Sequence, residues 1–385
     1  MAVPTVYGTL ESGYTTSVIN VRQLEDYLDI MEPDDYPLLQ AVGLNSYSKP
    51  ITNTMYEWQM DYLVPNTDTI NDAGIGLATT VWTMTNPEYF ALHDVCLIQS
   101  ELIRVVNINS AGSTVTFERA FAGTAAATHA TGLTVYRLGP ARPEGSAPGW
   151  AQQVATYQPY NYTQIFDAFA EITGTEEAME NYAPAALLDY RVDKRMREMY
   201  MLMEQTLFMG QRFQPGTNTG RATGGLNQFI TDVDAIGGAA LVFADFEDAL
   251  QNVFGRAGNR TPSTIWCNAW VSRKISSFGA GSIRTGRTET TFGNIIDVLQ
   301  TNFGTLSVNL DHLVLASSLY LLNMDEIMIG PLQGRAWAGY PLTIATTGVD
   351  EMSERLIGEY GIVVKGEDGT NDGLHVRFTN ISLTT

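Results

Sequence analysis

The chain has 385 residues, 44% of them hydrophobic and 10% aromatic, enough for one large domain or two to three smaller ones and too much for a disordered chain. No apolar run approaches the roughly 20 residues that cross a bilayer, and Met1 to Tyr14 has neither a basic start nor an apolar stretch, so a cytoplasmic protein is expected. With 22 basic against 42 acidic residues the formal charge is −20, which excludes a chain that grips nucleic acid along its whole surface and suits solubility or an acidic wall past which packed DNA slides.

The first fifty residues read as an arm. Gln23 to Met31 predicts a short helix, with Leu24, Tyr27, Leu28 and Met31 at helical spacing. Glu32-Pro33-Asp34-Asp35-Tyr36-Pro37 breaks it, and Leu38-Leu39 follows as an apolar anchor. Tyr56 to Val64 has strand-like composition. Pro65 to Thr80 lacks either periodicity and is expected to be an extended arm ordered by contact with neighbours. Tyr89 to Leu138 is the clearest β unit, an antiparallel module with strands at Val95 to Ser100, Glu101 to Ile108, Thr114 to Phe117 and Leu133 to Leu138. Pro140, Pro143, Gly145, Pro148 and Gly149 close it.

A long helix follows within Glu176 to Arg212. Leu188, Val192, Met196, Met199, Met203 and Leu207 form one apolar stripe, read as buried core, with Pro184 as start or kink and Gly210 as stop. Beyond Gly224 the pattern is mixed. Phe243 to Phe254 predicts a helix capped by Gly255, and Thr264 to Cys267 a strand leading into a helix over Ala269 to Ser277. Gly279 to Asn294 reads as a mobile loop. Ser307 to Leu310, Leu313 to Ala316 and Leu319 to Asn323 are expected to be strands of one sheet, and Leu342 to Thr346, Arg355 to Val364 and Leu374 to Thr379 complete the chain.

Catalytic signatures are missing: no Walker lysine motif, no HExxH, no GxSxG elbow and no CxxC pair. The expectation is a protein without catalytic residues, cofactor or metal. His93, His129, His312 and His375 stand apart from one another and read as solvated or satisfied side chains. Cys96 and Cys267 read as small buried hydrophobes. Asp232 to Gly237 resembles a calcium loop only faintly, since the later acids fail, and Glu367 to Gly373 reads as a hairpin turn. One basic cluster stands out on the long helix: Arg191, Lys194, Arg195 and Arg197. It suits a solvated face paired with Asp189, Asp193 and Glu198, bidentate pairing with a neighbouring subunit's carboxylates, or contact with DNA phosphates.

Several short segments keep one order along the chain: Pro33-Asp34-Asp35-Tyr36-Pro37-Leu38-Leu39, Tyr56-Glu57-Trp58, Glu101-Leu102-Ile103-Arg104-Val105, Val115 to Thr124, His129-Ala130-Thr131-Gly132, Asn161 to Ile165, Thr173-Gly174-Thr175, Phe303-Gly304, Ala345 to Gly348 and Glu359-Tyr360. In that order they resemble tailed-phage major capsid proteins of the Hong Kong 97 fold, in the branch whose extended loop carries a small β insert. The resemblance implies an α+β subunit with an N-terminal arm at 1–50, an extended loop at 51–150 bearing the β module at about 89–138, and a peripheral domain at 151–224 with a spine helix at about 185–210. An axial domain at 225–334 and return strands at 335–385 complete it.

It further implies a homo-oligomer of hexamers and pentamers in an icosahedral head shell, assembled in the host cytoplasm. Double-stranded DNA would be enclosed rather than bound by sequence, with a separate scaffolding protein or none, portal and decoration proteins as candidate partners, and no membrane. The chain lacks the long charged N-terminal helix that some relatives use as a built-in scaffold. Lysine is limited to Lys49, Lys194, Lys274 and Lys365, so a lysine–asparagine cross-link is not inferred. Two alternatives remain at this stage, an encapsulin-type compartment shell and a soluble enzyme with an unrecognised site.

Overall fold

The structure, a computed structural model, describes residues 35–146, 156–179, 187–214, 216, 220–257, 260–277, 298–343, 348–367 and 373–382. The expected helix at Gln23–Met31, Pro184, and the loop 279–294 lie outside these residues. The chain divides into two compact units, Trp58–Pro159 and the remainder, Met1–Glu57 with Tyr160–Thr385.

In the Trp58–Pro159 unit, six antiparallel strands run in the order Thr67–Thr69, Thr134–Pro140, Asp94–Ile98, Glu101–Asn109, Thr114–Glu118 and Val81–Thr83. The two outer strands meet where Ile70 bridges Met84. Asn71 N–H donates to the Thr83 carbonyl at 2.9 Å and Thr85 N–H to that of Thr69 at 3.1 Å, so the sheet closes on itself. Closure removes the exposed strand edges that invite aggregation. Alternation along the strands turns Cys96, Ile98, Ile103, Val105, Val115, Phe117 and Val135 inward, around Trp82 and Phe90. Fully burying each of the larger side chains contributes about 1.5–3 kcal/mol over leaving it in water.

This unit is wider than the sequence pattern suggests. Pro65 to Thr80 is not an arm waiting for neighbours: Thr67–Thr69 is a strand of the closed sheet, and Ile70 and Ile75 are buried in its core. Its apolar residues are too sparse to register as alternation. Buried Asp68 helps to fix the segment by accepting from the Asn86 N–H at 2.9 Å. Tyr56 to Val64 is also not one strand, since pairing stops at Met55–Glu57 and the unit boundary follows.

The other unit holds two larger sheets. One is mixed, in the order Val233–Ala235, Val376–Thr379, Leu319–Leu322, Thr264–Cys267, Gly304–Leu310 and Val298–Thr301. The helices Phe243–Ala257 and Ala269–Ser276 contribute Phe246, Leu250, Val253, Val271 and Ile275 to its core, where Ile265, Cys267, Leu306, Leu321 and Phe378 meet them. Asp245 accepts from the Val242 N–H at 2.8 Å, and Asn268 caps the second helix by accepting from Trp270 N–H at 3.1 Å. Two expectations fail here. Gly255 does not stop its helix, which continues to Ala257, because its backbone is not left-handed and Arg256 in the last turn is held by Asp232. Leu313 to Ala316 is a turn rather than a strand, since the Asp311 carboxylate accepts from Leu313 N–H at 2.8 Å and bends the chain.

The second sheet is organised by the 14-residue strand Glu351–Val364. Gln164–Thr173 pairs along one side of it, while Ala338–Leu342 and Ile327–Pro331 succeed one another along the other. The spine helix, Leu187–Met209, packs on this sheet and is about 34 Å long at 1.5 Å per residue. Gly210 ends it, as expected, and the reason is steric. The Gly224-Gly225 segment crosses the last turn so closely that a Cβ on Gly225 would sit 2.3 Å from the Thr206 carbonyl oxygen, and one on Gly210 2.5 Å from it. Only Met199, Met203 and Leu207 of the apolar stripe are buried; Leu188, Val192 and Met196 remain half-buried.

Candidate functional site

The incomplete stripe directs attention to the spine helix. Arg191 is exposed and donates to the Glu171 carbonyl at 2.8 Å. Arg195 pairs with Glu198 at 2.5 Å, three residues on, and Arg197 with Asp193 at 3.0 Å, four residues back. Lys194 is exposed, without an ion pair among the described residues. The four cations share the exposed N-terminal half of the helix, and two of them already have partners on their own helix. Such exposed pairs contribute little to stability.

Further along, the helix and the strand Gln164–Thr173 border a groove of about 540 Å³ lined by Ile165, Phe166, Leu202 and Met209. Leu202 and Ile165 are about half exposed, at 50% and 46%. On the same sheet Phe169 and Tyr340 are both registered against Arg355, which forms a bidentate pair with Asp167 at 2.6 and 2.9 Å. Phe169 and Tyr340 are exposed large residues. Apolar surface on both the groove and this sheet suits contact with another protein surface better than it suits water.

Where the helix ends, buried polar groups fasten the elements. Asn161 donates to the carbonyls of Gly224 at 3.0 Å and Ile362 at 2.8 Å, and accepts from the Gly224 N–H at 2.8 Å. Buried Glu359 accepts from Thr163 at 2.6 Å and Arg221 at 2.9 Å, with Arg335 3.3 Å from its other oxygen. Tyr320 donates to Asn227 at 2.7 Å and its ring lies 5.2 Å from that of Phe208.

Two enclosed carboxyls behave in opposite ways. Glu101, in the closed sheet, accepts from Arg119 Nε and Nη2 at 2.7 and 2.8 Å and from the N–H groups of Ala120 and Ala127, and lies 2.9 Å from His129 Nε2. Burial pushes its pKa upward, but these donors outweigh burial and hold it down at about 2. Glu204, on the spine helix, accepts from Leu38 N–H at 2.8 Å and Leu39 N–H at 3.4 Å, the open start of the helix Pro37–Val42. Burial and the neighbouring Asp311 carboxyl push Glu204 up to about 9, against those two N–H groups. A glutamate inside an apolar helical stripe is a visible anomaly in sequence, yet nothing in the pattern tells which partner it meets.

The histidines fall into place individually. His129 is enclosed, with Nδ1 3.1 Å from Gln99 and Nε2 on Glu101. His375 is fully buried, its Nδ1 accepting from Asn323 N–H and its Nε2 facing the Lys365 carbonyl; burial lowers its pKa to about 4 and keeps the ring neutral. His312 sits 3.3 Å from Asp35. Cys96 and Cys267 are buried free thiols, each pushed up to about 12 by burial. Among the described residues no group of three or more His, Cys, Asp or Glu is placed to hold a metal ion.

Comparison with known proteins gives a family match along most of the chain: the model described as SU10 major capsid protein matches residues 9–371. No curated protein matches. Among solved structures, the capsid of an empty GTA particle is similar at 8% identity and a TM-score of 0.52, covering 97% of this chain and 100% of that one. A structure titled Microbacterium phage Oxtober96 is similar at 9% identity and a TM-score of 0.51, covering 94% and 96%. The SrpI encapsulin of Synechococcus elongatus reaches a TM-score of only 0.41 at 11% identity, covering 59% of this chain and 77% of that one.

Proposed function

The chain belongs to the SU10 major capsid protein family, and from that premise we propose how its parts build a phage head. Its α+β architecture is of the Hong Kong 97 type, and it is a phage head shell protein that assembles with copies of itself. The single observation that carries this reading is the family match over residues 9–371.

In the proposed division of roles, residues 1–50 form an arm, and the closed sheet sits in the extended loop at 51–150. The spine helix with its long-stranded sheet is the peripheral domain, and the mixed sheet is the axial domain, whose copies close into hexamers and pentamers by heterologous contacts. The half-buried stripe of Leu188, Val192 and Met196, the groove at Leu202 and Ile165, and the exposed Phe169 and Tyr340 support contact with neighbours. Covering that surface at about 25 cal/mol per Å² would favour the shell over the lone subunit. Arg191, Lys194, Arg195 and Arg197 are proposed to face carboxylates of an adjoining subunit rather than DNA, since the chain as a whole is acidic. The shell encloses double-stranded DNA without reading its sequence, and no residue is assigned a catalytic role.

Electron microscopy of the full chain, expressed alone and with a scaffolding protein, tests the proposal. Closed shells are expected, and nuclease-resistant DNA in particles recovered from infected cells separates a phage head from a protein-filled compartment. A discrete monomer or small oligomer under every condition would overturn it.

A further inference from the structure

We propose that Glu204 and Asp311 share one proton, and that this proton latches the root of the N-terminal segment, the helix Pro37–Val42, onto the spine helix. Both side chains are enclosed, at 0% and 2% exposure. Glu204 is spent as an acceptor on Leu38 and Leu39, and Asp311 Oδ1 on Leu313. Asp311 Oδ2 is buried with no donor when both acids are ionised. Placing a proton on Glu204 turns it from a second anion into the donor that Oδ2 lacks. Two adjoining carboxylates out of water cannot both stay charged without a cation, and neither acid has one among the described residues.

The surrounding titratable groups fit this state. Asp35 and Tyr36 lead into the short helix, and His312 turns to Asp35 rather than to the pair. The Tyr36 ring lies 5.1 Å from that of Tyr200 at a 48° tilt, one turn before Glu204, and Tyr320 reaches Asn227 beyond Phe208. Loss of the proton would leave two buried anions facing each other beneath Leu38 and Leu39. The least costly relief is to lift the short helix and let water in. In a shell whose arms tie subunits together, that lift would loosen the tie. This consequence rests on the shell reading; the latch itself does not.

The test is limited proteolysis of the full chain, unassembled, with a broad-specificity protease between pH 7 and pH 10. The readout is cleavage within residues 36–43 relative to cleavage elsewhere. In the wild-type chain the ratio should rise about tenfold per unit of pH from pH 7 upward and level off above about pH 9, as expected on the approach to the midpoint of a single proton loss. Glu204→Gln supplies a permanent donor to Asp311 and keeps the acceptor for Leu38, so its ratio should stay flat. Asp311→Asn donates to an ionised Glu204 and should also stay flat, which preserves the test if one variant folds poorly. A flat wild-type profile, or amide variants that open as the wild type does, would overturn the latch.

Discussion

Glu101 and Glu204 are the same residue in two equally dry places, one held near pKa 2 and the other near 9. What differs is the company. Around Glu101 the closed sheet supplies Arg119, two N–H groups and His129, and Arg119 is itself tied to the carbonyls of Gly76, Thr79 and Ala127. Around Glu204 there are two N–H groups and another acid. A buried charge is tolerated where donors surround it, and where they do not it keeps a proton. The closed sheet supplies all the partners of Glu101 from within itself. The spine helix, by contrast, buries one half of its stripe and leaves the other half open.

That contrast can be broken at several points. The largest expected effect is Arg119→Ala, which strands Glu101 without its cation and should cost about 3–5 kcal/mol in denaturant unfolding followed by tryptophan fluorescence, since Trp82 lies 5.0 Å from the guanidinium. Next, Gly225→Ala forces a Cβ against the Thr206 and Leu207 carbonyls and should cost about 1–3 kcal/mol, read in the same way.

The two acids should also give opposite pH profiles. Glu101 is lowered from 4.5, so its stabilisation is present above about 4.5 and is lost as pH falls through about 2; Glu101→Gln should flatten acid unfolding there. Glu204 is raised from 4.5, so its contribution is complete below about 4.5 and is lost as pH rises through about 9; Glu204→Gln should flatten the alkaline side of the melting profile. Smallest of all for stability is charge reversal at Arg191 and Arg195, both exposed. The unfolding midpoint should barely move while shell assembly falls. Normal assembly and DNA retention in that variant would return the cluster to a solvated helix face.

The pattern of residues announced much of this architecture, and the misses have physical causes. Alternation located the strands from Asp94 to Pro140, and the Met-rich stripe falls on the helix Leu187–Met209. Thr67–Thr69 escaped because a three-residue strand carries no period, and its neighbours Ile70 and Ile75 are held by long-range closure of the sheet. Gly255 misled because a glycine is needed only where the backbone turns left-handed or something passes close, as at Gly210, and neither holds there. The latch pair could not be read at all: Glu204 and Asp311 are over a hundred positions apart, and only tertiary packing sets them side by side. The basic cluster was legible as a cluster, but any partner beyond the residues it meets within its own chain is not written in one chain's sequence.

The central claim is that copies of this chain finish one another's surfaces. Cryo-electron microscopy of assembled particles tests it most directly, by the exposure of Leu188, Val192, Met196, Phe169 and Tyr340. The account predicts closed shells in which these residues lie covered by an adjacent subunit; shells that leave all five in solvent, or no shells at all, would contradict it.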